Sequence, residues 1–254
     1  MFRPGAAWAT IRDRPRVPMA IVSTLDIAAL LFFLVVWFGY HAALELTPHG
    51  KDGLNARMDG FREIWMQELL NREVRIVDTQ IMASLQNGTA FFASTSLLAI
   101  GGALTLINAT DDLVSITAAL PFGIRSSRAL WELKTIGLVV IFVYAFFKFA
   151  WSYRLFNYVA IMIGAMPPQE RRDTDAAKLH AARTGALFAT AGRHFNRGQR
   201  AFFFALGYLG WLIGPFVFMA TTAAVVVVMW RRQFASDSRR ALDIAGGSDQ
   251  RHQD

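Results

Sequence analysis

Two polar stretches of the chain hold the side chains best suited to bind or transform a ligand. They supply Arg62, Trp65, Arg75, Asp78 and Gln80 from the first stretch, and Arg193, His194, Asn196, Arg197 and Arg200 from the second. Guanidinium groups bind phosphates and carboxylates through paired hydrogen bonds. If the two stretches converge, they would therefore suit an anionic lipid headgroup or an anionic metabolite. The alternative is that these charges form salt bridges on helix faces and fix both stretches to a helical bundle.

Asp26 is a carboxylate inside an apolar run, where a charge is costly and marks either an ion route or an internal partner. It lies about two turns from the start of its run, so its side chain could reach the membrane interface. The other interpretation is a pair with Lys134 at the start of the third run. Lys148 sits in an apolar run near the opposite face, and its long stem would let the ammonium group reach lipid headgroups.

Several kinds of chemistry are excluded or disfavoured by composition. The chain contains no cysteine, which excludes disulfides, thiolate metal sites, iron–sulfur clusters and cysteine nucleophiles. Its five histidines have no metal-ligand spacing, and neither a phosphate-binding glycine loop nor a metalloprotease motif is present. We therefore expect no metal and no cofactor, and no set of catalytic residues can be named.

The elements that must position these residues are helices in a membrane. The chain has 254 residues, of which 54% are hydrophobic, and its formal net charge is +7. Apolar runs at about 19–43, 88–107, 131–155 and 201–230 predict an all-α integral membrane bundle of about four transmembrane helices. A basic tail (1–18) precedes this membrane domain (19–234), and a polar tail (235–254) follows it. Because the arginines flank apolar runs, the positive charge indicates anionic lipid headgroups rather than nucleic acid.

The polar connections 44–87 and 167–200 are predicted to be long amphipathic helical extensions on one face of the bundle. Phe61, Trp65 and Leu69 recur at helical spacing, which predicts a helix that continues directly into the second span. In the second connection we expect a helix over 175–191 and a break over 192–198, where two glycines fall. Four spans would place both tails together on the other face, and the Lys and Arg residues then divide evenly between the faces.

Four segments carry a family resemblance. They are Arg62-Glu63-Ile64-Trp65-Met66, Asp78-Thr79-Gln80, Phe91-Phe92-Ala93-Ser94-Thr95, and the run from Phe195-Asn196-Arg197-Gly198 to Phe204-Ala205-Leu206. In this order they resemble the family catalogued as domain of unknown function 599, over about residues 22–238. The resemblance implies an uncharacterised multi-span membrane protein, and it implies no activity.

The leading functional hypothesis is a non-enzymatic accessory or scaffold protein that packs with itself or with a partner membrane subunit. It depends on small residues such as Ser94, Ser96, Gly101 and Gly102, which let another helix approach closely. One alternative is a transporter or channel for a small solute or ion, with Asp26 on its route. Another is a lipid-modifying enzyme that uses His194 and Asp78. We expect a multi-pass protein of the plasma (inner) membrane, in contact with the bilayer and with anionic headgroups, either as a homo-oligomer or with a partner subunit.

Overall fold

The computed structural model describes residues 22–110, 127–235 and 241–242. Within these ranges it contains helices and no strand, which confirms the all-α class. The helices are α1 (Thr24–Glu45), α2 (Pro48–Lys51), α3 (Leu54–Glu68), α4 (Ile76–Asn108), α5 (Arg128–Gly164), α6 (Asp175–Tyr208), α7 (Gly210–Ile213) and α8 (Pro215–Phe234). Two short 3-10 turns, Leu69–Asn71 and Gln169–Arg171, join them.

Four of these helices, α1, α4, α5 and α8, are long and apolar enough to cross a membrane. Together they indicate a membrane protein. The four apolar runs of the sequence lie on them, although the fourth run also includes the end of α6. The tail 1–18, the first residues of the expected first span and nearly all of the tail 235–254 lie outside the described residues.

Hydroxyl side chains define where three of the long helices begin. Ser23 Oγ accepts from the backbone N–H of Asp26 at 3.1 Å, and Ser127 Oγ accepts from Leu130 at 3.2 Å. Thr174 does the same for α6. Each bond satisfies an N–H group that has no partner within its helix, so the helix starts at a fixed residue.

The helix that carries Phe61 and Trp65 does not continue into the second span, contrary to the sequence prediction. Helix α3 ends at Glu68, and after a 3-10 turn and an extended Arg72 the chain becomes helical again at Ile76. From there α4 joins the end of the first polar connection to the second span without a break. Its 33 residues pack almost entirely against α5. The residues buried in this contact recur every seven positions: Met82, Thr89, Ser96 and Ala103. This period is typical of helices that pack at a shallow angle, and three of the four side chains are small.

The predicted break over 192–198 is wrong, because helix α6 runs without interruption from Asp175 to Tyr208. Its glycines serve close packing instead. A Cβ atom at Gly192 would lie 2.7 Å from the Arg62 guanidinium, and one at Gly198 would lie 2.7 Å from the Phe149 ring. Glycine lowers helix propensity, but here the absence of a side chain admits neighbours from α3 and α5.

The fourth apolar run reverses direction rather than crossing once. After α6 ends at Tyr208, the short helix α7 and the extended Gly214 turn the chain, and Pro215 starts α8. Thr221 Oγ1 donates to the Gly207 carbonyl at 2.7 Å, and Arg232 lies over the ring of Phe203. Later residues of α8 thus pair with earlier residues of α6, so the two helices are antiparallel.

The bundle has two halves with separate cores. In the apolar half, α1 and α8 pack beside the end of α6 around Phe33, Phe204 and Trp211. In the connection half, α3 packs on the first part of α6 around Met66 and Phe188. The polar residues of interest lie mainly where the two halves meet and within the connection half.

Candidate functional site

Glu45, the last residue of α1, is the carboxylate around which one group of cations assembles. Arg197 donates to both of its oxygens, from Nε to Oε1 at 2.9 Å and from a terminal nitrogen to Oε2. Arg200 donates to Oε1 at 2.5 Å and lies 3.4 Å from Nδ1 of His41. The hydrogen bond to Glu45 raises the pKa of the Arg197 guanidinium. One carboxylate therefore holds two guanidinium groups, and this layer keeps a net positive charge.

Asp59 on α3 organises the neighbouring arginines. Arg62 donates to its Oδ1 at 2.5 Å, and Arg193 of α6 donates to its Oδ2 at 3.2 Å. Arg193 also donates to Thr190 Oγ1 at 2.7 Å. The pair fixes α3 to α6 at the level where Gly192 makes room for Arg62.

A cleft of about 330 Å³ opens between these two carboxylates. Three arginines line it (Arg193, Arg197 and Arg200), together with Asn55, Asn196 and Gln233. Three cations against two carboxylates leave an excess of positive charge, which suits an anion. Among the described residues, no three His, Asp or Glu side chains lie close enough together to hold a metal ion.

A second polar group surrounds Asp78 in the connection half, at the start of α4. Trp65 Nε1 donates to its Oδ1 at 2.6 Å, and Arg72 donates to the same oxygen. Arg75 points elsewhere and donates to the carbonyls of Met166 at 2.9 Å and Pro167 at 2.7 Å. It thereby satisfies backbone groups just beyond the end of α5. Gln80 is exposed.

The structure thus divides the ten-residue ensemble suggested by the sequence. Arg193, Asn196, Arg197 and Arg200 converge at the cleft, and Arg62 joins them through Asp59. Trp65 and Asp78 form the other group, in which Asp78 is buried and Trp65 is half-buried, and their hydrogen bond connects α3 to α4. The salt-bridge interpretation accounts for most of these contacts.

Comparison with known proteins places this arrangement in a family. Residues 28–238 match the family model described as "Protein of unknown function, DUF599". The chain belongs to this family. No curated protein and no solved structure matches it. The resemblance drawn from the four sequence segments is confirmed, and the DUF599 match includes the cleft, the Asp78 group, α4, α5 and α8, and α1 from residue 28 onward.

His194 of this DUF599 protein lies apart from Asp78 and packs instead against Trp151 of α5, with ring centroids 6.5 Å apart. Its Nδ1 atom is buried and has no hydrogen-bond partner. Burial lowers the pKa of His194, and the charges of Lys148, Arg197 and Arg193 lower it further, whereas Glu45 opposes them. The imidazole is therefore neutral at pH 7.

This environment predicts that acidification destabilises the protein through His194. The folded-state pKa lies below the unfolded value of about 6.5, so the unfolded chain binds the proton first as pH falls through that value. We expect the melting temperature of the wild type to fall between pH 7.5 and pH 5.5. His194→Gln should show a smaller fall, as measured by thermal unfolding in detergent. An unchanged pH dependence in the variant would contradict the assignment.

Asp26 in this DUF599 protein is 5% exposed and is fully engaged by neighbours. Trp211 Nε1 donates to Oδ1 at 2.7 Å, and Ser23 Oγ donates to Oδ2 at 2.6 Å. Lys134 Nζ, whose residue is 1% exposed, lies 3.5 Å from Oδ1. The structure therefore shows the paired arrangement of Asp26, and the pair joins the start of α1 to α5.

Sequence reasoning missed the partners Glu45, Asp59 and Arg72, although two of them carry a local signal. Glu45 follows His41 by four positions, and Asp59 precedes Arg62 by three, which are spacings of paired residues on one helix face. The contacts that define the cleft are instead long-range: Arg197 and Glu45 are 152 positions apart. No local pattern links them.

Proposed function

We propose that this chain is a non-enzymatic accessory membrane protein that docks a second transmembrane helix against α4. One observation carries the proposal. Helix α4 packs almost entirely against α5, and the opposite side has no partner within the described residues. We call this side the outer α4 face, formed by Phe91, Ser94, Leu98, Gly101, Gly102 and Thr105.

The composition of the outer α4 face favours a helix over lipid as its neighbour. Leu98 is 77% exposed and Phe91 is 64% exposed, and a Cβ atom at Gly101 or Gly102 would meet nothing within 4 Å. Lipid tails solvate leucine as well as another helix would, so helix association in membranes depends on small residues and on hydroxyl groups. Gly101, Gly102, Ser94 and Thr105 supply both.

The same helix already uses this chemistry on its inner side. Thr89, Ser96 and Ala103 form the small-residue contact with α5. A second small-residue face on a helix with one partner is consistent with a second partner. We propose that this partner is a helix of another copy or of another membrane subunit, in the plasma (inner) membrane.

In the two other functional hypotheses, the key residues already make structural contacts within the protein. A transport route through Asp26 would need a free carboxylate, but both oxygens of Asp26 accept hydrogen bonds. A lipid-modifying pair of His194 and Asp78 would need the two side chains to meet. His194 contacts Trp151, whereas Asp78 accepts from Trp65 and Arg72.

Gly102→Leu tests the docking proposal without disturbing the monomer, because a Cβ atom added at this position meets nothing within 4 Å. We expect a bulky residue there to weaken helix association about tenfold or more. The measurement is the fraction of purified protein that co-purifies with a second copy or subunit in mild detergent, quantified by mass.

Gly39→Leu is the matched control. Gly39 lies on α1, is exposed and likewise has nothing within 4 Å of an added Cβ. It should leave the assembly unchanged. The proposal is wrong if the wild type is recovered only as a lone monomer, or if both variants assemble like the wild type.

A further inference from the structure

Helices α1 and α5 border a groove in the apolar half, because their backbones stay apart between two side-chain contacts, the Asp26–Lys134 pair and the edge-on Trp37–Tyr144 ring pair, and because α6 and α7 lie behind them. The groove has a volume of about 500 Å³. Leu34 and Phe38 line it on α1, and Ile136 and Val140 line it on α5. A lining of this kind suits a hydrocarbon chain.

The length of the groove matches one leaflet of a bilayer. On α1 it extends from Leu30 to His41, and on α5 from Leu133 to Tyr144. At 1.5 Å per residue each side measures about 17 Å. This is about half of the roughly 30 Å hydrocarbon core, which is the depth that the acyl chains of one leaflet occupy.

The back wall of the groove depends on Gly137. A Cβ atom there would lie 2.0 Å from the hydroxyl oxygen of Tyr208. Glycine lets the Tyr208 ring lie against α5, and this ring, with Trp211, closes the groove on the side of α6 and α7. The close approach of Tyr208 to Gly137 therefore sets the back wall of the groove, and the groove stays open among the described side chains.

One end of the groove is positively charged. His41 and Tyr144 border it there, and Lys148 Nζ lies 5.1 Å from the centre of the Tyr144 ring. Arg197 and Arg200 stand at the same level and share the single carboxylate of Glu45. Lys148 forms no salt bridge with any described carboxylate, so its charge is available to a ligand.

From these observations we infer that the groove binds one anionic phospholipid. An acyl chain lies between α1 and α5, and the phosphate lies beside Lys148 and the exposed edge of Arg197. The apolar groove alone would accept any lipid, whereas the cationic end selects a negatively charged headgroup. The site involves α1 and α5 and is independent of the outer α4 face.

Lipid retention measured by native mass spectrometry tests this inference. The purified protein in mild detergent is mixed with equal amounts of phosphatidylglycerol and phosphatidylcholine. We expect one phosphatidylglycerol molecule to be retained in preference to phosphatidylcholine. Lys148→Gln should reduce this retention about fivefold, because one basic residue near an anionic lipid contributes a factor of that order. Glycerol 1-phosphate at the same concentration should not displace the lipid, since it lacks the chain.

Two matched pairs of variants separate the groove from general effects. Lys178→Gln makes the same charge change at an exposed position in the connection half and should retain phosphatidylglycerol like the wild type. Val140→Trp places an indole in the groove and should abolish selective retention. Val35→Trp makes the same change at an exposed position of α1 outside the groove and should not.

All four variants alter side chains that are at least partly exposed, so retention is compared only among proteins with the wild-type helical signal and elution volume. Equal retention of the two lipids by the wild type would overturn the inference. So would wild-type retention by Lys148→Gln or by Val140→Trp. Displacement by glycerol 1-phosphate alone would show a soluble-anion site in place of a lipid site.

Discussion

Asp26→Ala is expected to destabilise the protein by about 3–5 kcal/mol, because it leaves the Lys134 ammonium buried without its carboxylate. Lys134 is 1% exposed, and its ammonium nitrogen lies 3.5 Å from Asp26 Oδ1. The substitution also removes the acceptor of the Trp211 indole N–H, which is itself buried. Unfolding in mixed micelles, followed by circular dichroism, measures the loss.

A double variant distinguishes a lost pair from a lost packing contact. Asp26→Leu combined with Lys134→Met removes both charges and keeps apolar volume, so it should recover most of the stability that either single change loses. If the double variant loses as much as the two single variants together, the pair is not the origin of the effect. Asp173→Ala, at a side chain that is 89% exposed, should stay within about 0.5 kcal/mol of the wild type.

Gly210→Leu is expected to cost about 3 kcal/mol and to loosen the turn between α6 and α8. A Cβ atom at Gly210 would lie 2.3 Å from Thr221 Oγ1, 3.0 Å from the Val217 carbonyl oxygen and 3.1 Å from the Phe218 Cα. Two of these three atoms belong to the backbone, which cannot move aside without shifting α8. The same mixed-micelle unfolding measures this loss.

Gly39→Leu again serves as the reference, since it adds the same side chain where nothing lies within 4 Å. We expect it to change stability by less than about 0.5 kcal/mol, because leucine also favours a helix more than glycine does. Equal stability of the two variants would mean that the close approach at Gly210 does not hold the turn.

The architecture of this DUF599 protein follows largely from local signals. The apolar runs are long enough to identify four of the helices, and the amphipathic spacing of Phe61 and Trp65 locates α3. The break between α3 and α4 was missed, because the helical spacing of the first connection continues to Leu69 and carries no sign that the helix ends at Glu68. The pair of Asp26 and Lys134 was one of two interpretations that followed from the cost of burying a charge.

The continuity of α6 and the chain reversal after it could not be predicted from the sequence, because both depend on tertiary contacts. Two glycines six positions apart are typical of a helix break. Only the close neighbours Arg62 and Phe149 show that Gly192 and Gly198 are packing positions within a continuous helix. Gly214-Pro215 is equally compatible with a kink and with a reversal. The reversal is selected by the fit of Gly207 and Gly210 against α8 and by the Trp211 hydrogen bond to Asp26.

The candidate site shows the same limit. The arginines were recognisable as anion-binding groups, but their division between Glu45, Asp59 and Asp78 depends on how α1, α3 and α6 meet. The groove was not predictable at all, since it depends on the separation of the α1 and α5 backbones between their side-chain contacts and on Gly137, which admits Tyr208. An absence of contact leaves no periodic pattern in a sequence.

The reversal after Tyr208 also changes how the basic residues divide between the two ends of the bundle. It returns Arg231, Arg232 and Gln233 to the connection half, where Gln233 lies beside Gly53, and Leu242 lines a pocket with Phe61. Of the basic residues that the structure describes, only Arg128 and Lys134 then remain at the opposite end. Among the described residues the expected even division of charge is therefore lost, and on these residues the positive-inside rule predicts that the connection half is cytoplasmic. On that prediction, the cationic end of the α1–α5 groove would open to the cytoplasmic leaflet, whose surface carries anionic lipids.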